Sequence, residues 1–300
     1  MTDSRLYVGV DAGGTSTVVV AAHVGGMPRR EVGGPANASS LGVDDAANEI
    51  ITVIRRACAH EKPHAIAIGA AGTGRPEIAR TIEDLIASAF PHARVRVGDD
   101  AEIALRAAIP EGPGIVLIAG TGSIAFARGE TTTARVGGLG YLLGDEGSAF
   151  AIGLAAAKLY ARVLDGRAMR DETSDLVGRA LHAPDRAALL AVMYAARLDV
   201  SAIASLAPSI IAFASKGNRP ATKIVQDASK ELGELIKSSA RATGLVDASP
   251  TVALSGGLVR ENSLLTFLLE QRIVGDLPGA AIVRAADDAA LGALRLAMDA

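Results

Sequence analysis

The sequence has no tryptophan, only 3% aromatic residues and a single cysteine, Cys58. One cysteine cannot form an intrachain disulfide, a cysteine-rich zinc site or a CxxC redox centre. Scarce aromatic side chains disfavour a protein that binds its partner by stacking. The net charge is −3, with lysine and arginine scattered along the chain, which argues against a nucleic-acid partner. These absences favour an enzyme built from helices and sheets.

Long hydrophobic runs are also missing. No apolar run approaches the ~20 residues that a membrane span needs. The start, Met1-Thr2-Asp3-Ser4-Arg5, leads into an apolar strand and lacks a signal-peptide pattern. We therefore expect no membrane partner and a cytoplasmic location. The length of 300 residues, 49% of them hydrophobic, is typical of about two domains with real cores.

Two similar glycine-rich turns are the most informative feature that is present. Gly9–Thr17 reads GVDAGGTST and Ile118–Ser123 reads IAGTGS, and each lies between two apolar, β-branched runs. Both patterns predict a strand, a tight turn and a second strand. Glycine lets backbone N–H groups point into a turn, and Thr and Ser hydroxyls add donors, which suits a phosphate. The pair indicates duplicated halves that hold one phosphate chain from both sides.

The remaining pattern predicts an α/β protein. The first half reads as β-β-α-β-α-β-α, with helices at about 44–60 and 76–90 and strands at 65–70 and 95–97, so we expect a mixed sheet covered by helices. Glu111-Gly112-Pro113-Gly114 is the predicted domain boundary, because the second half begins again with strand, turn and strand. That half continues with a helix at about 149–164, mainly helical residues 170–244, strands at 252–254 and 281–283, and a last helix from about 287.

The phosphate turns differ from the two common nucleotide-binding motifs. The chain has neither G-x-x-x-x-G-K-[ST] nor a G-x-G-x-x-G that opens a helix. Asp11, at the end of the first strand, is a carboxylate of the kind that holds Mg²⁺ through water. An alternative is that Asp11 only bonds its own turn. The two roles are compatible.

Four segments resemble a known superfamily. Gly9–Thr15, Ile118–Ser123 and Leu254–Gly257 resemble, in order, the first phosphate, second phosphate and adenosine motifs of the actin-like/hexokinase-like ATPases. Gly138–Ala149, GLGYLLGDEGSA, closely resembles the BadF/BadG/BcrA/BcrD ATPase family, which includes the N-acetylglucosamine kinases.

This resemblance implies a fold and an assembly. It implies two actin-like, ribonuclease H-like domains, each a mixed five-stranded sheet flanked by helices, with a nucleotide cleft between them. The expected domains are residues 1–111, joined by the C-terminal helix at about 287–300, and residues 112–286. It also implies a homodimer.

The same resemblance implies ATP and Mg²⁺ as cofactors. Asp11 is then the residue for the metal. The residues implied for ATP are glycines, threonines and serines of the three motifs: Gly13, Gly14, Thr15, Ser16, Gly120, Thr121, Gly122, Ser123, Gly256 and Gly257.

Asp99 and Asp100 lie where a predicted strand passes into a helix. Phosphoryl transfer to an alcohol needs a carboxylate that accepts the hydroxyl proton and aims the nucleophile. Capping of the helix is the alternative role for both residues. The resemblance implies that Asp100 is the catalytic base and contacts the sugar, and we assign the cap to Asp99.

Two further residues are expected to bind the acceptor. Asp145 lies in the Gly144–Gly147 loop ahead of a helix, where a carboxylate can hold sugar hydroxyls; a helix cap by Asp145 or Ser148 is the alternative. The resemblance implies that Asp145 binds the sugar, with Thr121 and Gly122 where sugar and γ-phosphate meet. It also implies a sugar contact for Asn37, which by its own pattern is a turn residue.

The resemblance implies a kinase that phosphorylates a hydroxyl, O6, of N-acetylglucosamine or glucosamine. Leu139 stands where many amino-sugar kinases have tryptophan, so the identity of the sugar stays open. Alternatives are another sugar, or an ATP-binding protein without turnover. An activase of the same family would need an iron–sulfur cluster with two cysteines per subunit, which Cys58 cannot supply. Cys58, Tyr141, Phe150 and Tyr160 are predicted to be packing residues.

Overall fold

The computed structural model describes residues 5–73, 76–285 and 288–300. The chain divides into two compact units: unit 1 is Met1–Gly112 with Arg284–Ala300, and unit 2 is Pro113–Val283. The described residues form one five-stranded sheet of order β3-β2-β1-β4-β5 and another of order β10-β9-β6-β7-β8.

The elements have the following bounds. The strands are β1 (Leu6–Ala12), β2 (Thr17–His23), β3 (Arg29–Gly33), β4 (Pro63–Ala70), β5 (Arg94–Asp99), β6 (Gly114–Ala119), β7 (Ser123–Arg128), β8 (Thr133–Gly137), β9 (Thr251–Ser255) and β10 (Ala281–Arg284). The helices are α1 (Ala38–Leu41), α2 (Val43–Cys58), α3 (Pro76–Ala89), α4 (Asp100–Ala108), α5 (Ala149–Leu164), α6 (Glu172–Ala180), α7 (Arg186–Met193), α8 (Val200–Ala204), α9 (Ala207–Ser215), α10 (Arg219–Thr243), α11 (Leu264–Asp276) and α12 (Ala289–Met298).

The sheet of unit 1 is mixed and is covered on both faces. β1 pairs antiparallel with β2 and parallel with β4, which pairs parallel with β5. One face of β1, with Val8 and Val10, packs with Ile50 and Ile54 of α2 in a buried apolar core. The opposite face packs against α12 and α4. Alternate side chains of a strand point to opposite faces, so both faces of this strand are apolar.

Close backbone approach fixes α12 in unit 1. A Cβ atom on Gly9 of β1 would lie 2.1 Å from the Leu294 nitrogen, and one on Gly292 would lie 1.9 Å from the Ile103 oxygen of α4. Neither glycine has a positive φ. The missing side chain is therefore needed for packing, and it lets the last helix of the chain lie directly on the first strand.

Unit 2 has a sheet of the same kind with a larger helical part. β6 pairs antiparallel with β7 and parallel with β9. Its apolar core joins Ile115 and Leu117 of β6 with buried residues of α5, α9, α10 and α11. No single helix within the described ranges is long and apolar enough to cross a membrane. Val200–Ser215 and Arg219–Thr243 pass that test only together, as a pair bent by 114°, and α9 and α10 pack into the core.

The predicted fold class is confirmed: both sheets are mixed, have five strands and are flanked by helices. The predicted order of the first half lacked the short helix α1. It also lacked β3, which follows β2, and β8 was missed in the second half. Both are edge strands, and in each of them half-buried residues alternate with exposed ones. Their charged and small residues lack the continuous apolar run by which the buried strands were found.

Candidate active site

The carboxyl ends of β1, β4 and β5 meet at one edge of the sheet in unit 1. Asp11 is in register with Gly69 of β4, and Gly69 with Gly98 of β5. Two strand spacings separate Asp11 from Gly98, about 10 Å. Asp100 begins α4 two residues beyond Gly98. The structure therefore brings the predicted metal residue and the predicted base to the same edge.

Asp11 lies in a carboxylate pair that the sequence analysis did not anticipate. Burial, and next the negative charge of Asp288, raise the pKa of Asp11 to about 6, while Arg30 lowers it. Arg30 is itself ion-paired with Asp288, and Asp288 Oδ1 accepts a hydrogen bond of 3.0 Å from the Ala290 nitrogen at the start of α12. The sequence does contain a signal for Asp288, because an acidic residue just before a predicted helix is a typical helix cap.

The Gly13–Ser16 turn closes the β1–β2 hairpin. The Gly13 nitrogen donates to the Ser16 oxygen at 3.0 Å, and the Gly13 oxygen accepts from the Ala36 nitrogen at 3.0 Å. Neither Gly13 nor Gly14 has a positive φ. A Cβ on Gly14 would have Asn37 Nδ2, 3.9 Å away, as its nearest neighbour. Glycine is therefore not required here by a left-handed backbone conformation. At Gly14 the lack of a side chain leaves the backbone accessible to a ligand.

Asn37 lies beside this turn and caps α1. Its Oδ1 accepts a hydrogen bond of 2.9 Å from the Ser39 nitrogen, so the turn-type role predicted from its own pattern is present. A Cβ on Gly72 would lie 2.5 Å from the same Oδ1, so the loop after β4 packs against it. Its Nδ2 has no hydrogen-bond partner within the described residues. The amide can thus cap a helix and still offer two N–H donors to a ligand.

Asp99 and Asp100 have different positions at the end of β5. Asp99 Oδ1 accepts a hydrogen bond of 2.8 Å from the Ala101 nitrogen, which makes Asp99 the N-cap of α4, as predicted. Asp100 is the first residue of the helix. The cap therefore falls to Asp99, and the role of Asp100 as base stays a prediction.

In unit 2, the Gly120–Gly122 turn closes the β6–β7 hairpin and contacts Asp145. Asp145 Oδ1 accepts a hydrogen bond of 3.1 Å from the Ser123 nitrogen. A Cβ on Gly122 would lie 2.7 Å from the same oxygen. Burial is the largest cause that raises the pKa of Asp145; the Glu146 charge also raises it, and the Ser123 N–H lowers it. Three residues predicted to meet at the sugar, Thr121, Gly122 and Asp145, are thus brought together.

The start of α5 shows which of two residues, Asp145 or Ser148, caps that helix. Ser148 is the N-cap of α5, with its Oγ 3.2 Å from the Ala151 nitrogen. Asp145 therefore does not cap the helix and has a left-handed backbone, with φ 58°. The Ala149 and Phe150 nitrogens donate to the Gly120 and Thr121 oxygens at 2.9 and 3.3 Å. These bonds fix the turn to the start of the helix.

The third motif lies next to the second in unit 2. Gly256 has φ 96°, and a Cβ there would lie 2.2 Å from the Ala119 oxygen, which also accepts a hydrogen bond of 3.0 Å from the Leu258 nitrogen. Because Ala119 ends β6, the loop after β9 is held against the beginning of the Gly120 turn. Gly257 has no atom within 4 Å of its would-be Cβ. It leaves room for a ligand at that point.

The predicted packing residues divide into two groups. Phe150 and Tyr160 are buried, and Cys58 is buried with its pKa raised to about 11, chiefly by burial. Tyr141 was predicted wrongly: 38% of it is exposed, although its ring contacts the Phe150 ring at a centroid distance of 5.2 Å. It belongs to a glycine-rich loop with positive φ at Gly138 and Gly140.

The described residues supply only some of the ligands that Mg²⁺ needs. Among the described residues, no group of three or more His, Cys, Asp or Glu side chains could hold a metal ion. Mg²⁺ keeps several waters and is usually bound by one or two carboxylates plus substrate phosphates. Asp11 is one such carboxylate, with Asp288 near it. The residues present therefore fit a metal that arrives with a nucleotide.

Comparisons with known proteins agree with this arrangement. The chain is 28% identical to an N-acetylmuramic acid/N-acetylglucosamine kinase from Clostridium acetobutylicum, over 98% of each chain. It is 26% identical to an N-acetyl-D-glucosamine kinase from Dictyostelium discoideum, again over 98% of each. The crystal structure of a candidate N-acetylglucosamine kinase from Chromobacterium violaceum superposes with a TM-score of 0.76 and 28% identity, covering 97% of this chain and 98% of that one. A family model matches residues 8–297, and the chain belongs to the BadF/BadG/BcrA/BcrD ATPase family.

Proposed function

We propose that this protein is an ATP-dependent amino-sugar kinase that phosphorylates O6 of N-acetylglucosamine or glucosamine. The observation that carries the proposal is the contact of the Asp145 carboxylate with the Gly120–Ser123 turn. Phosphoryl transfer to an alcohol needs groups that hold the acceptor hydroxyl next to the phosphate, and a carboxylate can do so by accepting hydrogen bonds from sugar hydroxyls. The printed names of the Clostridium and Dictyostelium relatives support the same class of substrate.

ATP is assigned to the three glycine-containing loops. Gly13, Gly14, Thr15 and Ser16 of unit 1 and the Gly120–Ser123 turn of unit 2 would bind phosphates through backbone N–H groups and hydroxyls. Gly256 and Gly257 would lie against the adenosine part. Asp11 would hold the water shell of Mg²⁺, which, when bound, neutralises charge on the β- and γ-phosphates.

The acceptor is assigned to Asn37, Asp100 and Asp145, with Thr121 and Gly122 where sugar and γ-phosphate meet. Asn37 has two N–H donors for a sugar oxygen, and the Asp145 carboxylate accepts from sugar hydroxyls. Asp100 takes the proton of the attacking sugar hydroxyl while the hydroxyl oxygen forms its bond to the γ-phosphorus. The bond from that phosphorus to the bridging oxygen of ADP breaks at the same time, so phosphoryl and proton are both accounted for.

An ATP-binding protein without turnover is the alternative. The experiment is an ADP-release assay with N-acetylglucosamine, glucosamine, glucose and no sugar, followed by ³¹P–¹H correlation NMR of the product. The proposal expects release that depends on an amino sugar and a phosphate on C6. ATP binding without sugar-dependent release would contradict the kinase, and phosphate on another carbon would contradict O6 alone.

The homodimer and the cytoplasmic location stay predictions, and light scattering tests the first.

A further inference from the structure

The segment that joins β3 to α1 lies against the Gly13–Ser16 turn in unit 1. It consists of residues Gly34–Asn37, and we call it the Asn37 loop. The Ala36 nitrogen of this loop donates to the Gly13 oxygen at 3.0 Å, and Ala36 is fully buried. A Cβ on Gly14 would lie 3.9 Å from Asn37 Nδ2. The loop thus places a residue proposed for the sugar directly beside a turn proposed for phosphate.

Two side chains hold the start of the Asn37 loop by its backbone. Thr17 Oγ1 donates a hydrogen bond of 2.8 Å to the Gly34 oxygen, and the Gly34 nitrogen donates one of 2.6 Å to Glu49 Oε1. Thr17 is the first residue of β2, directly after the turn, and Glu49 belongs to α2. Both backbone groups of Gly34 are therefore bonded to side chains from outside the loop. The next residue, Pro35, has its φ fixed by its ring.

The Thr17 and Glu49 bonds lie where the chain leaves the sheet. β2 and β3 pair in register as far as Thr17 and Gly33, and at Gly34 the side-chain bonds replace the bonds between strands. A Cβ on Gly33 would lie 2.3 Å from Glu49 Oε1, so glycine at this position lets the carboxylate reach the backbone. Thr17 is fully buried, and a buried hydroxyl costs free energy unless it is hydrogen-bonded. The bond from Thr17 to Gly34 is therefore a fixed part of the structure.

We propose that Thr17 and Glu49 are positioning residues that hold the Asn37 amide beside the phosphate turn for the acceptor sugar. Their bonds fix the backbone at the start of the loop, so the Asn37 side chain keeps its place next to the turn. Both residues act through Asn37 and take no part in the phosphoryl transfer. Their assignment rests on the proposed kinase function and adds to it two residues that determine the affinity for the acceptor.

The first experiment removes the Thr17 hydroxyl. Thr17→Val keeps the shape of the side chain and loses the donor, whereas Thr17→Ser keeps the donor. Thr243→Val is the matched control, because the Thr243 hydroxyl is also buried and donates to the Ser239 oxygen at 2.8 Å, in α10 of unit 2. KM and kcat are measured for ATP and for the amino sugar that the wild type uses, N-acetylglucosamine or glucosamine. Calorimetry measures the Kd of the same sugar without turnover.

We expect Thr17→Val to raise both KM and Kd for the sugar about tenfold, the equivalent of one hydrogen bond. KM for ATP stays unchanged, because the Gly13 nitrogen still bonds the Ser16 oxygen and closes the turn. Thr17→Ser restores the wild-type values. Glu49→Gln, which keeps an oxygen acceptor, also has wild-type values, whereas Glu49→Ala raises KM for the sugar. Thr243→Val lowers the Tm as Thr17→Val does and changes neither KM.

A double-mutant cycle shows whether Thr17 acts through Asn37. Asn37→Asp keeps the oxygen that caps α1 and loses both N–H donors. If Thr17 positions Asn37, Thr17→Val causes no further loss of sugar affinity in the Asn37→Asp background, so the two losses are not additive. If the two residues affect the sugar independently, the losses add.

Three results would overturn the inference and leave the kinase in place. They are additive losses in the cycle, an equal rise of KM for sugar and ATP in Thr17→Val, and unchanged sugar affinity in Thr17→Val. Unchanged sugar affinity in Asn37→Asp would refute the sugar contact of Asn37 and this inference with it. Absence of turnover with every sugar would refute the kinase itself. Calorimetry then tests Thr17 alone, and no binding of either amino sugar would refute its role as well.

Discussion

The Asp145 carboxylate lies directly against the backbone of Gly122: a Cβ atom on Gly122 would be 2.7 Å from Asp145 Oδ1 and 3.0 Å from Asp145 Cγ. The adjacent Ser123 nitrogen donates to that oxygen. The proposed function therefore gives the second glycine turn two roles: its backbone would face the phosphate, and it fixes the carboxylate proposed for the sugar.

Gly122→Ala is therefore expected to displace Asp145. Real Cβ atoms do not approach an atom within 3.0 Å, so the carboxylate must move and its bond to Ser123 must lengthen. We expect kcat/KM for the sugar to fall about a hundredfold, as after a 1 Å misplacement in an active site, with a small change in Tm. Gly275→Ala in α11, whose Cβ would meet no atom within 4 Å, is the control. Unchanged sugar kinetics in Gly122→Ala would contradict the assignment of Asp145.

Substitutions at Asp99 and Asp100 are expected to affect different properties, stability at Asp99 and catalysis at Asp100. Asp99→Ala removes the cap of α4 and should lower the free energy of unfolding by about 1 kcal/mol, while kcat is retained. Asp100→Asn should keep the Tm and lose most of kcat. Urea unfolding and steady-state kinetics on both variants check this. Near wild-type turnover in Asp100→Asn would remove Asp100 from the role of base.

Asp11→Asn is expected to stabilise the protein in a pH-dependent way. The folded-state pKa of Asp11 is raised from 3.8 to about 6, so the native state binds more protons than the unfolded state between these values. The contribution of Asp11 to stability is complete below pH 3.8 and is lost as the pH rises through 6. The variant should gain up to roughly 3 kcal/mol over the wild type at pH 7 and nothing at pH 3.5.

Thermal unfolding at both pH values measures this gain, with the exposed Asp247→Asn as the control for one lost charge. The same Asp11→Asn variant should lose Mg²⁺-dependent turnover. A variant that is less stable than the wild type at pH 7 would show that burial and Asp288 do not penalise the Asp11 charge.

The neighbouring glycines of the third motif are expected to respond differently to alanine. Gly256→Ala combines a φ of 96° with a Cβ 2.2 Å from the Ala119 oxygen, so it should lower the Tm by several degrees through strain. Gly257→Ala meets no protein atom and should keep the Tm while it raises KM for ATP, because the added methyl enters the proposed adenosine site. Unchanged KM for ATP in Gly257→Ala would refute that site.

Much of the arrangement was accessible from local sequence. The hairpin turns at Gly13 and Gly120 were predicted because β-branched runs flank them, α5 was predicted at 149–164, and Asp99 was predicted as a cap. These features depend on short-range chemistry: alternation, turn residues and side-chain bonds to nearby backbone. The edge strands β3 and β8 were missed, since an exposed edge needs no apolar run.

Local sequence patterns, and their resemblance to a known family, were enough to indicate the family, the α/β class and the residue types available for phosphate, metal and sugar. Packing in three dimensions determines which of these residues lie in contact. It placed Asp288 near Asp11 and the Asp145 carboxylate against the Ser123 nitrogen. These contacts join residues far apart in the chain, and packing of separate elements, which no local pattern encodes, determines their distances.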